Sequence, residues 1–181
     1  MTTLRAFPVT IVEPQLQQLQ LGRLTCLYRP CGGLLEQVRP GDLLWVREPF
    51  HLHHKWNGLS PTAAAKFGAA PRFVADGASE EDWDLGPRRF ARNLLRAWHR
   101  QHLRVLAVGR CPVQAIPPAA LEQQGFRTSQ AFAAAWDRNL SLNVGGIRRR
   151  DAYHNNPQVL VIEFNQIRAP LPLTTLKEKF A

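Results

Sequence analysis

The segment Gln158–Ile167, QVLVIEFNQI, constrains the fold more than any other stretch, because it is β-branched and apolar enough to lie centrally in a sheet. Other extended segments are spaced along the chain. Residues 5–12 (RAFPVTIV), 23–29 (RLTCLYR) and Leu43–Arg47 (LLWVR) read as strands, the last entered through the turn Pro40-Gly41-Asp42. Leu103–Val113 alternates as a strand does. Between them lie short helical signals: Leu16 and Leu19 between Pro14 and Gly22, Pro117–Gln124 stopped by Gly125, and Ser129–Asn139 with Phe132 and Trp136 on one stripe. Strands at both ends of the chain with hairpin-like turns and short helices between them predict an α+β protein built on a small, curved, mostly antiparallel sheet or barrel.

Residues 51–101 break this regularity. From His51 to Asp84 the pattern loses its period and only Arg72–Ala75 is strand-like, so a long variable excursion is expected. Residues 87–101, PRRFARNLLRAWHRQ, predict an inserted basic amphipathic helix. At 100° per residue Ala91, Leu94, Leu95 and Trp98 fall on one side, and Arg88, Arg89, Arg92, Arg96, His99 and Arg100 fall within about 120° on the other. Five arginines with no acid repel one another at helical spacing, which an anionic partner would offset. The competing reading is a solvated face paired with Glu80, Glu81 and Asp82 just upstream. Such a helix also suits a membrane surface, but a domain of this size needs the apolar side for its core.

At 181 residues the chain has room for one sizeable domain and excludes two full cores, so residues 1–167 are expected to form a single unit, with 168–181 as a tail. Twenty-three Lys and Arg against 14 Asp and Glu give a net charge of +9, which points to a polyanionic partner. No apolar run approaches the ~18 residues of a membrane span. Arg5, Pro8 and Glu13 interrupt the N-terminal stretch where a secretory peptide would be continuous, and three cysteines, Cys26, Cys31 and Cys111, are an odd and sparse set for a disulfide scaffold. A cytoplasmic protein with reduced thiols is the expectation.

Four segments, in order, resemble the ASCH domain, a branch of the PUA-like β-barrel superfamily, in its phage and prophage form. Gly22-Arg23-Leu24-Thr25-Cys26-Leu27-Tyr28-Arg29-Pro30 is similar to the family's Gly-x-Lys-x-x-Glu-x-Arg signature. Arg39 to Glu48 (RPGDLLWVRE) is the most specific of the four; Leu103–Gly125 and Asn156–Phe164 (NPQVLVIEF) complete the match. The resemblance implies a small barrel with flanking helices and a cleft suited to RNA or a nucleobase, since relatives bind RNA or read modified bases. A few small members hydrolyse the amide of an acylated cytidine, and ribonuclease activity has been suggested for others. Those enzymes use a Lys, a Thr and a Glu where this chain has Leu24, Leu27 and Gln124. Leu can neither attack nor move a proton, and Gln hydrogen-bonds without titrating, so that chemistry is not expected. Arg29 keeps its signature position and can hold a phosphate or a base edge with its planar fork.

Arg148, Arg149 and Arg150 beside Tyr153 form a second basic patch of a composition suited to single-stranded nucleic acid. His51, His53 and His54 with Cys26 and Cys31 lack the spacing of a zinc site, and neither a metal nor another cofactor is expected. Trp45, Trp136 and Phe164 read as core, whereas Trp56 and Trp83 in the excursion are candidates for base stacking. The sequence therefore predicts a nucleic-acid-binding module, RNA in preference to DNA. A base-sized cleft lies near Arg29, Arg47 and Glu48, and phosphates are anchored by Arg88, Arg89, Arg92, Arg96, Arg100 and Arg148–Arg150. The alternatives are a hydrolase using His51, His53, Glu48 or Lys55, and a phage-derived module binding an acidic protein.

Overall fold

The computed structural model of the chain describes residues 5–143 and 151–171. In chain order, strand β1 (Ala6–Thr10) leads through helix α1 (Gln15–Gln20) to β2 (Cys26–Pro30) and β3 (Leu43–Arg47). The excursion contributes β4 (Phe50–His51), α2 (Pro61–Lys66) and β5 (Arg72–Phe73). The chain then runs through β6 (His102–Pro112), α3 (Pro118–Gln123), α4 (Ser129–Asn143) and β7 (Gln158–Ile167). Among the described residues no helix is long and apolar enough to cross a membrane.

Five strands form one mixed sheet in the order β1-β3-β6-β7-β2, with β7 inside it as its composition demands. Three pairings are antiparallel, but β1 and β3 run parallel, Ala6 beside Leu43 and Thr10 beside Arg47. A parallel pair needs a crossover, and here α1 and β2 supply it. A bulge between Val105 and Ala107 leaves Leu106 unpaired and exposed. The sheet is not a closed barrel among the described residues, because no backbone ladder joins β1 to β2. A side chain spans the gap instead: Arg29 on β2 donates from Nη2 to the Thr10 carbonyl on β1, 3.1 Å away.

Alternation along the strands divides the core. Phe7, Val9, Leu27, Leu44, Val46, Leu103, Val105, Leu160, Ile162 and Phe164 line one side with Leu16 and Leu19 of α1. Tyr28 and Val159 face the other way, onto Leu121 of α3 and Phe132 and Trp136 of α4. The excursion has a small core of its own around Phe50, Leu52, Phe73 and Leu94.

The inserted α-helix expected over 87–101 does not form. The segment is extended, with ψ of 140° at Phe90, 127° at Leu94, 147° at Leu95 and 146° at His99, separated by single 3₁₀ turns at Ala91–Asn93 and Arg96–Trp98. It lies beside β4, where Arg89 exchanges backbone hydrogen bonds with Phe50. Ala91 and Leu94 are still buried and Trp98 meets Phe50 edge-on at 5.9 Å, so the apolar residues reach a core by a different path. A helix would stack like charges at i, i+4, whereas pairing with β4 satisfies the backbone and separates them. Within the excursion α2 forms where no helix was expected, capped by Ser60, whose Oγ accepts from the Ala63 amide, with Pro61 in its first turn.

Candidate functional site

At one end of the sheet the side that carries the main core turns polar. Leu44 and Val46 face inward from β3, and two residues on, Glu48 keeps the same side and is fully buried. Gln101, two residues before the inward Leu103 of β6, and Gln166, two after Phe164 of β7, continue the same pattern on the neighbouring strands. The Val46 amide donates to the Gln101 carbonyl at 3.2 Å, which keeps these strand ends in register.

These polar ends are wired together. Arg100 donates from Nε to Glu48 Oε1 and from Nη2 to Oε2, both at 2.8 Å, a bidentate fork. Its Nη1 donates to Asp76 Oδ2 and its guanidinium lies 4.2 Å over the Phe73 ring. Burial works against the Arg100 charge, but the bonds to Glu48 and Asp76 outweigh it and hold its pKa above the ordinary arginine value. Gln101 Nε2 donates to Glu48 Oε1 at 3.4 Å, and Gln166 Nε2 donates to Gln101 Oε1 at 2.7 Å.

A cavity of about 320 Å³ opens over this network, lined by Gln20, Asp76, Arg100, Gln101, Gln166 and Arg168. That is the lower end of the range for small-ligand sites, the size class of one base or nucleotide. Gln20 comes from α1, with its Nε2 on the Ala75 carbonyl at 2.9 Å. Arg168 follows β7 and donates from Nη2 to the Gln20 carbonyl at 2.6 Å. Two histidines tie down the chain around it. His102 donates from Nδ1 to the Ala169 carbonyl at 2.7 Å, and His99 Nε2 accepts from the Leu171 amide at 2.7 Å. His99 Nδ1 bonds to the Arg96 carbonyl, so both ring nitrogens are engaged in the neutral tautomer, and burial holds the His99 pKa below the usual histidine value.

The structure separates the arginines that the sequence groups together. Arg89 is turned inward, donating to the Leu59 and Trp56 carbonyls at 3.0 Å each, and Arg100 is committed to Glu48 and Asp76. Arg96 is half-buried. Arg88 and Arg92 are exposed, Arg92 lying 4.8 Å over the Phe90 ring, and no carboxylate among the described residues is bonded to either guanidinium. Arg47 is half-buried over Trp45, bonded to the Arg92 carbonyl, with its Nε buried and unpartnered; burial lowers its pKa. Arg148, Arg149 and Arg150 lie outside the described residues.

Arg29 sits in the seam between the sheet edges rather than at the cavity. It donates to the carbonyls of Tyr28 and Thr10 and to Gln15 Oε1, all neutral acceptors, and burial pulls its pKa down to about 10. Gln15 Nε2 in turn donates to Gln124 Oε1 at 2.7 Å, and Gln124 Nε2 donates to the Cys26 carbonyl at 2.7 Å. Gly125, with φ of 84°, ends α3 so close to Pro14 that a Cβ there would lie 2.8 Å from the proline Cβ. Leu24 and Leu27 are buried in the main core, so these three positions build a structural joint.

The residues considered for hydrolysis are not gathered. His51 is buried with Nδ1 donating to the Gly86 carbonyl, His53 accepts from the Lys55 amide, and Lys55 lies over Trp56. None of them lines the cavity. Among the described residues no three His, Cys, Asp or Glu side chains are grouped as a metal site requires. Of the stacking candidates, Trp83 is 88% exposed and Trp56 is half-buried, parallel to Phe67 at 6.2 Å.

Sequence reasoning reached Glu48 and Arg100 but missed Gln20, Asp76, Gln101, Gln166 and Arg168. For Gln166 and Gln101 a signal existed, since the period-2 alternation of Leu160, Ile162 and Phe164, or of Val105 and Leu103, runs on to them. No protein-family model, curated protein or solved structure matches the chain.

Proposed function

We propose that the chain is a PUA-like domain of the ASCH type that binds single-stranded RNA by taking one unstacked base into the polar mouth of the sheet. The observation that carries this reading is the cavity itself, a base-sized space lined by the amides of Gln20, Gln101 and Gln166, of which Gln101 is buried, in a chain of net charge +9. Its lining and floor hold two carboxylates, Glu48 and Asp76, and two guanidiniums, Arg100 and Arg168, so it suits a neutral heterocycle better than a phosphate. Phosphate contacts fall to the exposed cations Arg88 and Arg92, whose guanidiniums are bonded to no carboxylate among the described residues, with Arg148–Arg150 added by composition. RNA is preferred over DNA on the resemblance to RNA-binding relatives.

Fluorescence anisotropy of matched single-stranded RNA and DNA at two salt concentrations, with the same samples run on a gel, tests the reading. RNA binding that weakens with salt, with intact oligonucleotide, is expected. Replacing Arg88 and Arg92 together by Ala should reduce the slope of log affinity against log salt by about 1.4, at roughly 0.7 per single-strand phosphate contact. An unchanged slope removes those two residues from the interface. Absence of salt-dependent binding, or cleavage of the RNA, overturns the proposal.

A further inference from the structure

Resting on that reading, we infer that the strand entering the cavity lays a second base on the open face of the Phe90 ring, with the adjoining phosphate held between Arg92 and Arg47. The segment that carries Phe90 is an edge. Residues 84–89 run antiparallel beside 50–54: the His54 amide donates to the Asp84 carbonyl, the Gly86 amide donates to the Leu52 carbonyl, and Arg89 and Phe50 exchange both bonds. Extended backbone sends alternate side chains to opposite sides, so Arg89 and Ala91 turn inward while Arg88, Phe90 and Arg92 share the solvent side. Phe90 is 67% exposed although the Arg92 guanidinium lies over its ring at 4.8 Å, which leaves the opposite face of the ring to solvent. An exposed ring interleaved with cations is what a single strand requires, since every base has a face to stack and every nucleotide a charge to neutralise.

Arg47 supplies the second observation. It ends β3 with its guanidinium over Trp45, donates from Nη1 to the Arg92 carbonyl at 3.2 Å, and leaves its buried Nε without a partner. No carboxylate among the described residues is bonded to Arg47 or Arg92. A half-buried cation lacking an anion is costly to the fold alone, and a phosphate reaching both guanidiniums offsets that cost. Charge also decides among the exposed rings. Trp83 lies among Glu80, Glu81, Asp82 and Asp84, where the single cation Arg72 is bonded to both aspartates, so phosphates are repelled there. Phe67 already lies parallel to Trp56. Glu80 Oε1 accepts from the Arg88 amide, which puts the acidic end on the Arg88 side of Phe90 and the phosphate on the Arg92 side. The same segment runs on to Arg100 in the cavity, so one strand following it meets Phe90 and the cavity in turn.

Anisotropy of one labelled, mixed-sequence single-stranded RNA is measured over a series of salt concentrations for the parent, Phe90→Leu, Phe90→Trp, Trp83→Leu and Arg47→Gln, with thermal melts confirming that each variant is folded. Phe90→Leu keeps an apolar side chain but no face to stack; it should weaken binding about tenfold at every salt concentration with the slope unchanged, because stacking releases no counterion. Phe90→Trp should bind at least as tightly as the parent, and Trp83→Leu should alter neither affinity nor slope. Arg47→Gln should reduce the slope of log affinity against log salt by about 0.7, one single-strand phosphate contact. Should that variant fail to fold, Arg47→Lys replaces it, and keeping the charge without the fork it should weaken binding with the slope retained. RNA bound by the parent with an affinity indifferent to Phe90→Leu, or weakened as much by Trp83→Leu, overturns the stacking assignment and leaves RNA binding standing. An unchanged slope in Arg47→Gln, or unchanged affinity in Arg47→Lys, overturns the position of the phosphate. A parent that shows no salt-dependent RNA binding overturns the reading on which the inference rests.

Discussion

Removing the Arg100 guanidinium should be among the most destabilising single changes available in this protein. Glu48 is fully buried, and its two oxygens receive the Arg100 fork at 2.8 Å. With Arg100→Leu the buried carboxylate loses its cation and keeps only the 3.4 Å bond from Gln101, a situation that costs about 3–5 kcal/mol. A chain of this size is typically stable by about 5–15 kcal/mol, so about a fifth of the total or more is at stake. The Asp76 limb is different, because its side chain is 56% exposed; Asp76→Ala should cost less than about 1 kcal/mol. Replacing both partners, Glu48→Leu with Arg100→Leu, removes the buried charge and should recover at least about 2 kcal/mol of the loss expected from adding the single variants. Urea unfolding followed by the fluorescence of the five tryptophans measures the parent, the three single variants and the double variant. A loss below about 1 kcal/mol for Arg100→Leu, or a double variant that equals the sum of the singles, would refute the claim that burial of Glu48 depends on this pair.

Two further outcomes follow from the same contacts. His99 has a folded pKa below its unfolded value, so the unfolded chain binds more protons; its contribution is fully present above about pH 6.5 and is lost as pH falls through the lowered value, at no more than about 1.4 kcal/mol per pH unit. Melting curves at pH 7.5 and 5.5 should show a smaller loss on acidification for His99→Gln than for the parent, and parallel losses would count against the buried neutral imidazole. Gln124→Glu, which restores the acidic residue of the enzymatic relatives, sets a carboxylate against the Cys26 carbonyl that Gln124 Nε2 serves at 2.7 Å. It should destabilise by about 1–3 kcal/mol at pH 8 and by less at pH 4, where the protonated acid can donate again; equal losses at both pH values would argue that the side chain has turned away.

Much of the sheet is legible from local chemistry. Leu43–Arg47 after Pro-Gly-Asp and Gln158–Ile167 are strands with the boundaries that their composition suggests, and α1 runs between Pro14 and Gly22. Each depends on a side-chain period or a turn residue within a few positions of itself. The arginine segment misleads for the same reason. Its apolar spacing satisfies a helix, but that spacing says only which residues are buried, and the partner strand β4 with Arg89 bonded to Phe50 lies 39 residues earlier.

By itself the sequence determined the sheet-forming segments, the basic charge and the absence of titratable groups at Leu24, Leu27 and Gln124, because each is a property of neighbouring residues or of composition. Only the tertiary structure decided that Arg100 closes on Glu48, 52 residues away, that Arg29 spans the open seam, and that Gln20, Gln101 and Gln166 meet around one cavity. Those pairings depend on how strands β1, β3, β6, β7 and β2 are ordered and how far the sheet curls, and no local period encodes either.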